Sequence, residues 1–473
     1  MIFSLRHLIP RAGSRAPDTQ GIFERPDEPT LIPAATIWHF GNIGRIEIHH
    51  PVTDKGCSMA RTDAIVLGAG IVGVSAALHL VKRGLAVTVV DRDEPGRGTS
   101  YGNAGIIEGN TLLPPAFPAS LKSLVRIGLR RAPEASYHLT FLARVAPWLL
   151  AFRRNSSPER LVAFMHAMRP LFERAVVEHE ALMTEANARR YLRHTGWLKL
   201  YRSNRSLAGT ARERAIASQL GAPLRVMDVE AAQALEPGLA PVFRHAVFWE
   251  DAASISNPLA VTRAFAARFA ALGGVVVTGD ARSLHRRGTR WRVETTGGPI
   301  DADAVVMTLG PWAPDVLEPL GINLPLAVKR GYHRHFTARG NARLARPILD
   351  ADNGYCLAPM EQGIRITTGA EFAARDAKPT PVQLNRVLPI ARDLFPLGKA
   401  VEDTPWVGAR PCFPDSRPVV GRAPGQPGLW LSYGHAHWGL TLAPATGRLI
   451  AEMMTGGTPF CDPAPYAADR FGR

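Results

Sequence analysis

Residues 63–91, DAIVLGAGIVGVSAALHLVKRGLAVTVVD, constrain the fold more than any other part of the chain. The apolar run Ala64–Leu67 predicts a buried strand. A turn with Gly68, Gly70 and Gly73 follows, then a helix to about Arg83 and a second strand, Ala86–Val90, ending at Asp91. In such a unit the first glycine permits the tight turn and the second lets backbone approach a pyrophosphate. The third lets the helix lie close to the sheet. The helix N-terminus offers unpaired N–H groups and partial positive charge to phosphates. Asp91 stands about 20 residues beyond the glycines, where a carboxylate accepts hydrogen bonds from a ribose 2′-OH. A glycine-rich turn alone would be weak evidence, but strand, turn, helix and acid together predict a dinucleotide site. The apolar stretch Ala64–Val81 does not read as a membrane span, because glycines sit at its centre and His79 interrupts it.

The remaining chain is long enough for two or three structural units, with 473 residues, 46% hydrophobic and 21% charged. Cys57, Cys356, Cys412 and Cys461 are far apart and form no C-x-x-C pair, so no metal site or disulfide framework is expected, and a reducing cytoplasm fits. The formal charge of +15 comes mostly from scattered arginines, with no Lys/Arg block and no nucleic-acid module, so no nucleic-acid partner is expected. The basic amphipathic stretch Leu121–Arg131 (LKSLVRIGLRR) is the local exception. It suits either a solvated helix face or peripheral contact with the inner face of a membrane.

Residues 1–60 are rich in Pro, Arg and His and lack periodicity, and Met59 stands just before the first strand. They read as a disordered extension or an over-extended reading frame, with a targeting arm as the alternative. Residues 118–190 are helical in period, with breaks expected at Pro133, Pro147 and Pro158. Tyr191–Tyr201 reads as one strand or a strand pair. Trp291–Thr296 and Asp303–Leu309 read as a hairpin around Gly297–Gly298. Leu326–Thr337, Gly354–Leu357 and Ile364–Thr368 read as strands of a second sheet. The expected class is α/β, with an α+β second domain. A Rossmann-like, discontinuous nucleotide-binding domain would comprise 61–110, 250–314 and 401–460. A mixed-sheet substrate domain would comprise 111–249 and 315–400.

Three further segments narrow the reading: Thr99-Ser-Tyr-Gly-Asn-Ala-Gly105, the run WVGARPCFPDSRPVVGR from Trp406 to Arg422, and YGHAHWGLT from Tyr433 to Thr441. With the N-terminal glycine motif, they resemble the D-amino-acid oxidase-like family of FAD-dependent oxidoreductases. Within that family the likeness is greatest to the bacterial D-amino-acid dehydrogenase small subunits, from about Asp63 to Pro459. The resemblance implies FAD as cofactor. Its ADP half would lie against Gly68, Gly70, Gly73, Asp91 and Arg92, and its pyrophosphate and flavin along Thr99, Ser100, Asn103, Ala104 and Gly105. Gly310 would stand where the chain passes the cofactor. Gly434, His435, Gly439, Leu440 and Thr441 would face the flavin ring, where a helix N-terminus stabilises negative charge on the reduced form.

The same resemblance implies that Arg410, in the G-x-R-P motif, pairs with a substrate carboxylate through a bidentate fork. Tyr332 and Tyr355 are candidates to assist it. His435 and His437 are expected to shape the flavin loop rather than act as bases. The implied activity is oxidative deamination of a small amino acid, of D configuration, to the 2-oxo acid and ammonia. Hydride would pass from the α-carbon to flavin N5, and electrons would leave to a quinone or another carrier. The alternatives are an oxygen-using oxidase of glycine, sarcosine or a proline derivative, a non-catalytic dinucleotide-binding subunit, and an NAD-dependent dehydrogenase.

Overall fold

The computed structural model describes residues 62–109, 116–118, 120–129 and 135–472. The expectations for residues 1–60, for Cys57 and for Pro133 lie outside them.

Ala64–Leu67 is buried along its whole length, as suits a strand covered on both faces of a parallel sheet. It pairs in parallel with Val87–Asp91 on one side and Ala304–Met307 on the other. Val275–Arg287 and Leu429–Tyr433 extend the parallel run outward. Antiparallel strands at both edges complete an eight-stranded sheet. The helices Ile71–Val81 and Gly439–Met454 pack together beside it. A Cβ at Gly447 would lie 2.8 Å from the Ser75 carbonyl carbon, so glycine there permits the close crossing.

A second, mixed sheet has eleven strands. Its longest, Ala327–Ala338, pairs antiparallel with Gly363–Thr368 and with Trp406–Cys412. Gly363–Thr368 in turn pairs with Tyr355–Met360. A small third sheet joins Ile106–Ile107, Ala253–Ile255 and Leu192–Arg193. The fold is therefore α/β with a mixed second sheet.

Several local expectations need correction. Trp406–Cys412, grouped by sequence with the nucleotide-binding segments, belongs to the second sheet. Arg290–Thr295 makes its hairpin with Ile300–Ala302, whereas Ala304–Met307 enters the parallel sheet beside Ala64–Leu67. Burial decides that split: Val305, Val306 and Met307 are fully buried, as a central parallel strand requires. Tyr191–Tyr201 supplies two strands to different sheets, Leu192–Arg193 and Trp197–Tyr201. Pro147 does not interrupt the helix Leu142–Arg154, which buries Val145, Trp148 and Phe152. Tertiary packing outweighs the one lost hydrogen bond there. Pro158 opens the helix Pro158–Glu185 rather than breaking one, with the Ser157 side chain accepting from the Arg160 N–H.

Candidate active site

One cavity of about 820 Å³ runs from the ends of the parallel strands to the face of the second sheet. That places it in the upper part of the range of ~300–1,000 Å³ usual for ligand sites. Gly68, Asp91, Thr308 and Gly434, at the carboxyl ends of four parallel strands, line it, the position at which open α/β sheets bind ligands.

The glycine turn is tight for reasons visible in its contacts. Gly68 has φ +108°, and a Cβ on it would stand 2.9 Å from the Thr308 carbonyl oxygen. A Cβ on Gly73 would collide with the Gly68 carbonyl oxygen. The helix Ile71–Val81 begins without a side-chain cap on Gly70 and without an acid in its first turn. Its first N–H, on Ile71, donates to Ser100 Oγ at 2.9 Å. Asp91 accepts from the Ala69 N–H at 2.6 Å and from the Asp93 N–H at 3.1 Å, which leaves lone pairs for a further donor. Burial raises its carboxyl above the usual range, and the Ala69 hydrogen bond opposes that rise. Arg92 stacks over Trp312, 5.0 Å from the ring centroid.

At the other end, the helix Gly439–Met454 also starts without a side-chain cap or a first-turn acid, and Gly439, Leu440 and Thr441 line the cavity. Two helix N-termini thus open on the same space with no acid in the first turn of either. His435 lies beside the second, its Nε2 3.1 Å from Thr446 Oγ1. Burial holds both His435 and His437 down to about 3, with Arg410 and Lys329 adding to the effect on His437. Both rings are therefore neutral at physiological pH.

Of the residues singled out from sequence, Gly68, Gly70, Asp91, Arg92, Thr99, Ser100, Asn103, Ala104, Gly310, Gly434, His435, Gly439, Leu440, Thr441, Arg410, Tyr332 and Tyr355 all line this cavity. Gly73 and Gly105 stand behind it. Gly73 packs on the turn, and Gly105, at φ +76°, lies where a Cβ would strike the Ile255 carbonyl oxygen. Thr99 Oγ1 donates to the Ala409 carbonyl at 2.9 Å. Asn103 Oδ1 accepts from the Gly105 N–H at 2.8 Å.

Arg410 donates through Nη1 to the Gly369 carbonyl at 2.8 Å and through Nη2 to the Thr368 carbonyl at 3.0 Å. Its guanidinium lies over Gly331, where any Cβ would collide with it. Among the described residues no Asp or Glu lies against it, and burial holds its pKa below the usual value. Tyr332 corrects the expectation made for its hydroxyl. That group donates to Glu371 at 2.8 Å and accepts from Arg330 Nη2 at 2.8 Å and from the Thr380 N–H at 2.7 Å, so it has no donor left for a ligand. The Tyr355 phenol is pushed upward by burial and by the nearby Asp350 carboxylate, and it stays protonated.

Lys329 and Glu108 are among the lining residues that escaped the sequence reading. Lys329 stands directly opposite Arg410 in the strand pair. Glu108 accepts from Trp438 Nε1 at 3.1 Å, and burial pushes its carboxyl up to about 7. Strand alternation in LAVKRGYHRHFT separates Lys329 from Arg330, but the register with a segment about 80 residues away is not written in either. Among the described residues no group of His, Cys, Asp and Glu could hold a metal, and no helix is long and apolar enough to cross a membrane.

The glycine cradle, the two uncapped helix starts and the shared cavity fit a flavin dinucleotide. Comparison with known proteins agrees. The family model described as DAO, FAD dependent oxidoreductase, matches residues 63–453. The chain is 33% identical over 457 residues to a D-amino acid dehydrogenase of Cereibacter sphaeroides, covering 86% of this chain and 95% of that one. It is 30% identical over 410 residues to a glycine oxidase of Pseudomonas putida, covering 86% and 98%. The fold is similar to the crystal structure of glycine oxidase from Geobacillus kaustophilus, with a TM-score of 0.66 at 22% identity over 87% of this chain and 99% of that one. Built around this cavity, the chain belongs to the DAO family of FAD-dependent oxidoreductases.

Proposed function

We propose that the protein oxidises the Cα–N bond of a small D-amino acid, releasing the 2-oxo acid and ammonia after hydrolysis of the imino acid. The coarser statement, an FAD-dependent amino-acid oxidoreductase, rests on family membership and on relatives of both the dehydrogenase and oxidase kinds. FAD, when bound, supplies the two-electron oxidant that takes the α-hydrogen with its electron pair. The observation that carries the reading is Arg410, a cation turned into the cavity with no acid of the described residues against it. A carboxylate supplies the missing charge, and the guanidinium fork fixes its orientation. Fixed orientation is what a near-attack geometry needs.

In this reading Gly68, Gly70, Asp91, Arg92, Thr99, Ser100, Asn103 and Ala104 hold the dinucleotide. Gly310 and the segment Gly434–Thr441 line the flavin, and the second helix start places partial positive charge beside it. Gly73 and Gly105 act through the backbone shape they permit. The neutral rings of His435 and His437 exclude water and take no proton. Residues 61–110, 250–314 and 413–460 would form the nucleotide-binding domain. The substrate domain would then gain the Arg410 strand.

The electron acceptor is proposed to be a quinone or similar carrier, in a cytoplasmic protein that touches the membrane. Support for contact comes from the helix Leu121–Gly128 and the residue after it. There Leu121, Val125 and Leu129 recur at helical spacing and are 77%, 51% and 59% exposed, beside exposed Arg126. Sedimentation with anionic vesicles tests that contact, and recovery of the protein in the supernatant removes it. Anaerobic bleaching of the purified protein with D- and L-amino acids and N-methylated amines tests the chemistry. A flavin reduced by none of them sinks the proposal. Stopped-flow reoxidation by oxygen against a soluble quinone separates dehydrogenase from oxidase.

A further inference from the structure

We infer that the substrate bears a second anionic group, a 2-aminodicarboxylic acid whose side-chain carboxylate meets Lys329 while Arg410 holds the α-carboxylate. The inference rests on the amino-acid reading above and names its substrate class.

Lys329 and Arg410 are register partners in the antiparallel pair of Ala327–Ala338 with Trp406–Cys412. Directly opposed residues share a face, with Cα atoms ~4.5–5.5 Å apart, and both residues line the cavity. Neither has an Asp or Glu against it among the described residues. The Lys329 ammonium instead stands over the rings of Phe152 and Trp148, at 4.3 and 4.8 Å from their centroids, with Phe372 at 6.0 Å. Aromatic faces accommodate a cation but bring no net charge, and burial together with the Arg410 guanidinium pushes the Lys329 ammonium below its usual pKa, so an anion arriving between the two is what would hold its proton. Their joint field reaches His437, whose protonation both oppose. Cys412, the other ionisable neighbour, is kept protonated by burial.

The next residue shows that the fold can supply an acid where one is wanted. Arg330 Nε lies 2.9 Å from Glu371 Oε2, with both side chains fully buried. Lys329 has no such partner among the described residues. An amino monocarboxylate whose amine is uncharged brings one negative charge to this wall. A dicarboxylate in the same state brings two, matching the two cations.

The test uses the purified flavin-loaded protein. Binding of glutarate and of butyrate is measured by calorimetry and by flavin difference spectra. Anaerobic bleaching is measured with D-glutamate, D-aspartate, D-norvaline and their L-enantiomers. Glutarate is expected to bind at least about tenfold more tightly than butyrate, the ratio that ~1.4 kcal/mol gives. D-Glutamate or D-aspartate should exceed D-norvaline in kcat/KM through a lower KM. Lys329→Met should abolish the glutarate preference and Lys329→Arg should keep it. If Lys329→Met does not fold, the wild-type comparison decides alone. Equal affinity for glutarate and butyrate overturns the second-anion site, as does a Lys329→Met protein that retains the preference. A glutarate preference without bleaching by any amine supports the dianion site and overturns the amino-acid chemistry, so the two failures are distinguishable.

Discussion

Arg330 and Lys329 are neighbours in one strand, yet alternation sends them to opposite faces of the second sheet. On one face the protein completes its own electrostatics. Arg330 meets Glu371, and Tyr332 and Thr380 saturate the remaining oxygens. On the other face Lys329 and Arg410 line the cavity, and among the described residues no Asp or Glu lies against either. A buried ion pair is costly to break, and a buried unpaired charge is costly to keep. The first face is therefore structure, and the second is a standing demand for an anion.

Removing one partner from each face tests this difference most directly. Glu371→Ala leaves Arg330 buried and unpaired, so unfolding free energy in a denaturant titration should fall by about 3–5 kcal/mol. A loss under 1 kcal/mol would mean the two faces do not differ. Arg410→Ala should behave in the opposite way. The yellow protein should keep its unfolding midpoint while kcat/KM for amino acid falls about 10²–10³-fold, mostly through KM, as expected on truncating one side of a desolvated charge pair worth ~3–4 kcal/mol. A lowered midpoint with unchanged kinetics would move Arg410 to the structural side.

Glu108 sharpens the contrast from the acid side. Among the described residues no salt bridge neutralises it, and it meets burial by raising its pKa from the ordinary 4.5 to about 7. The folded state then holds a proton that the unfolded state has lost, so its contribution is present below pH 4.5 and is lost as pH rises through about 7. Glu108→Gln should flatten the fall in melting temperature across that window, and an unaltered slope would refute the assignment. The smallest effect is expected at His437. With its pKa held to about 3, His437→Gln should add or remove no limb in the pH–rate profile between about pH 5 and 8, the range in which an ordinary histidine titrates.

The nucleotide end was far more legible in sequence than the substrate end, because its information is local. Gly68, Gly70, Gly73 and Asp91 fall within one strand–helix–strand unit, and each has a backbone or hydrogen-bonding reason that spacing reveals. Arg410 was legible only through family resemblance. Its guanidinium depends on the space over Gly331 and on carbonyls near residue 368, all set by long-range register. Tyr332 misled for the same reason. Its strand was read correctly, but the partners that occupy its hydroxyl, Glu371 and Thr380, lie about 40–50 residues further on, and no periodicity announces them. Trp406–Cys412 groups by sequence with the nucleotide-binding segments because its pairing with Ala327–Ala338, about 80 residues away, leaves no local trace.

The bond from Thr99 Oγ1 to the Ala409 carbonyl, and those from Arg365 to the carbonyls of Tyr101 and Asn103, stitch the cofactor loop to the strands of the second sheet. On the proposed reading, seating of the flavin and alignment of Arg410 are thereby mechanically linked, and whatever coupling that link carries acts equally in both directions. An occupant of the grip should slow escape of the flavin, and apoprotein should grasp carboxylic acids poorly until it is reloaded. Flavin fluorescence recorded during dilution, with and without butyrate, follows that linkage directly.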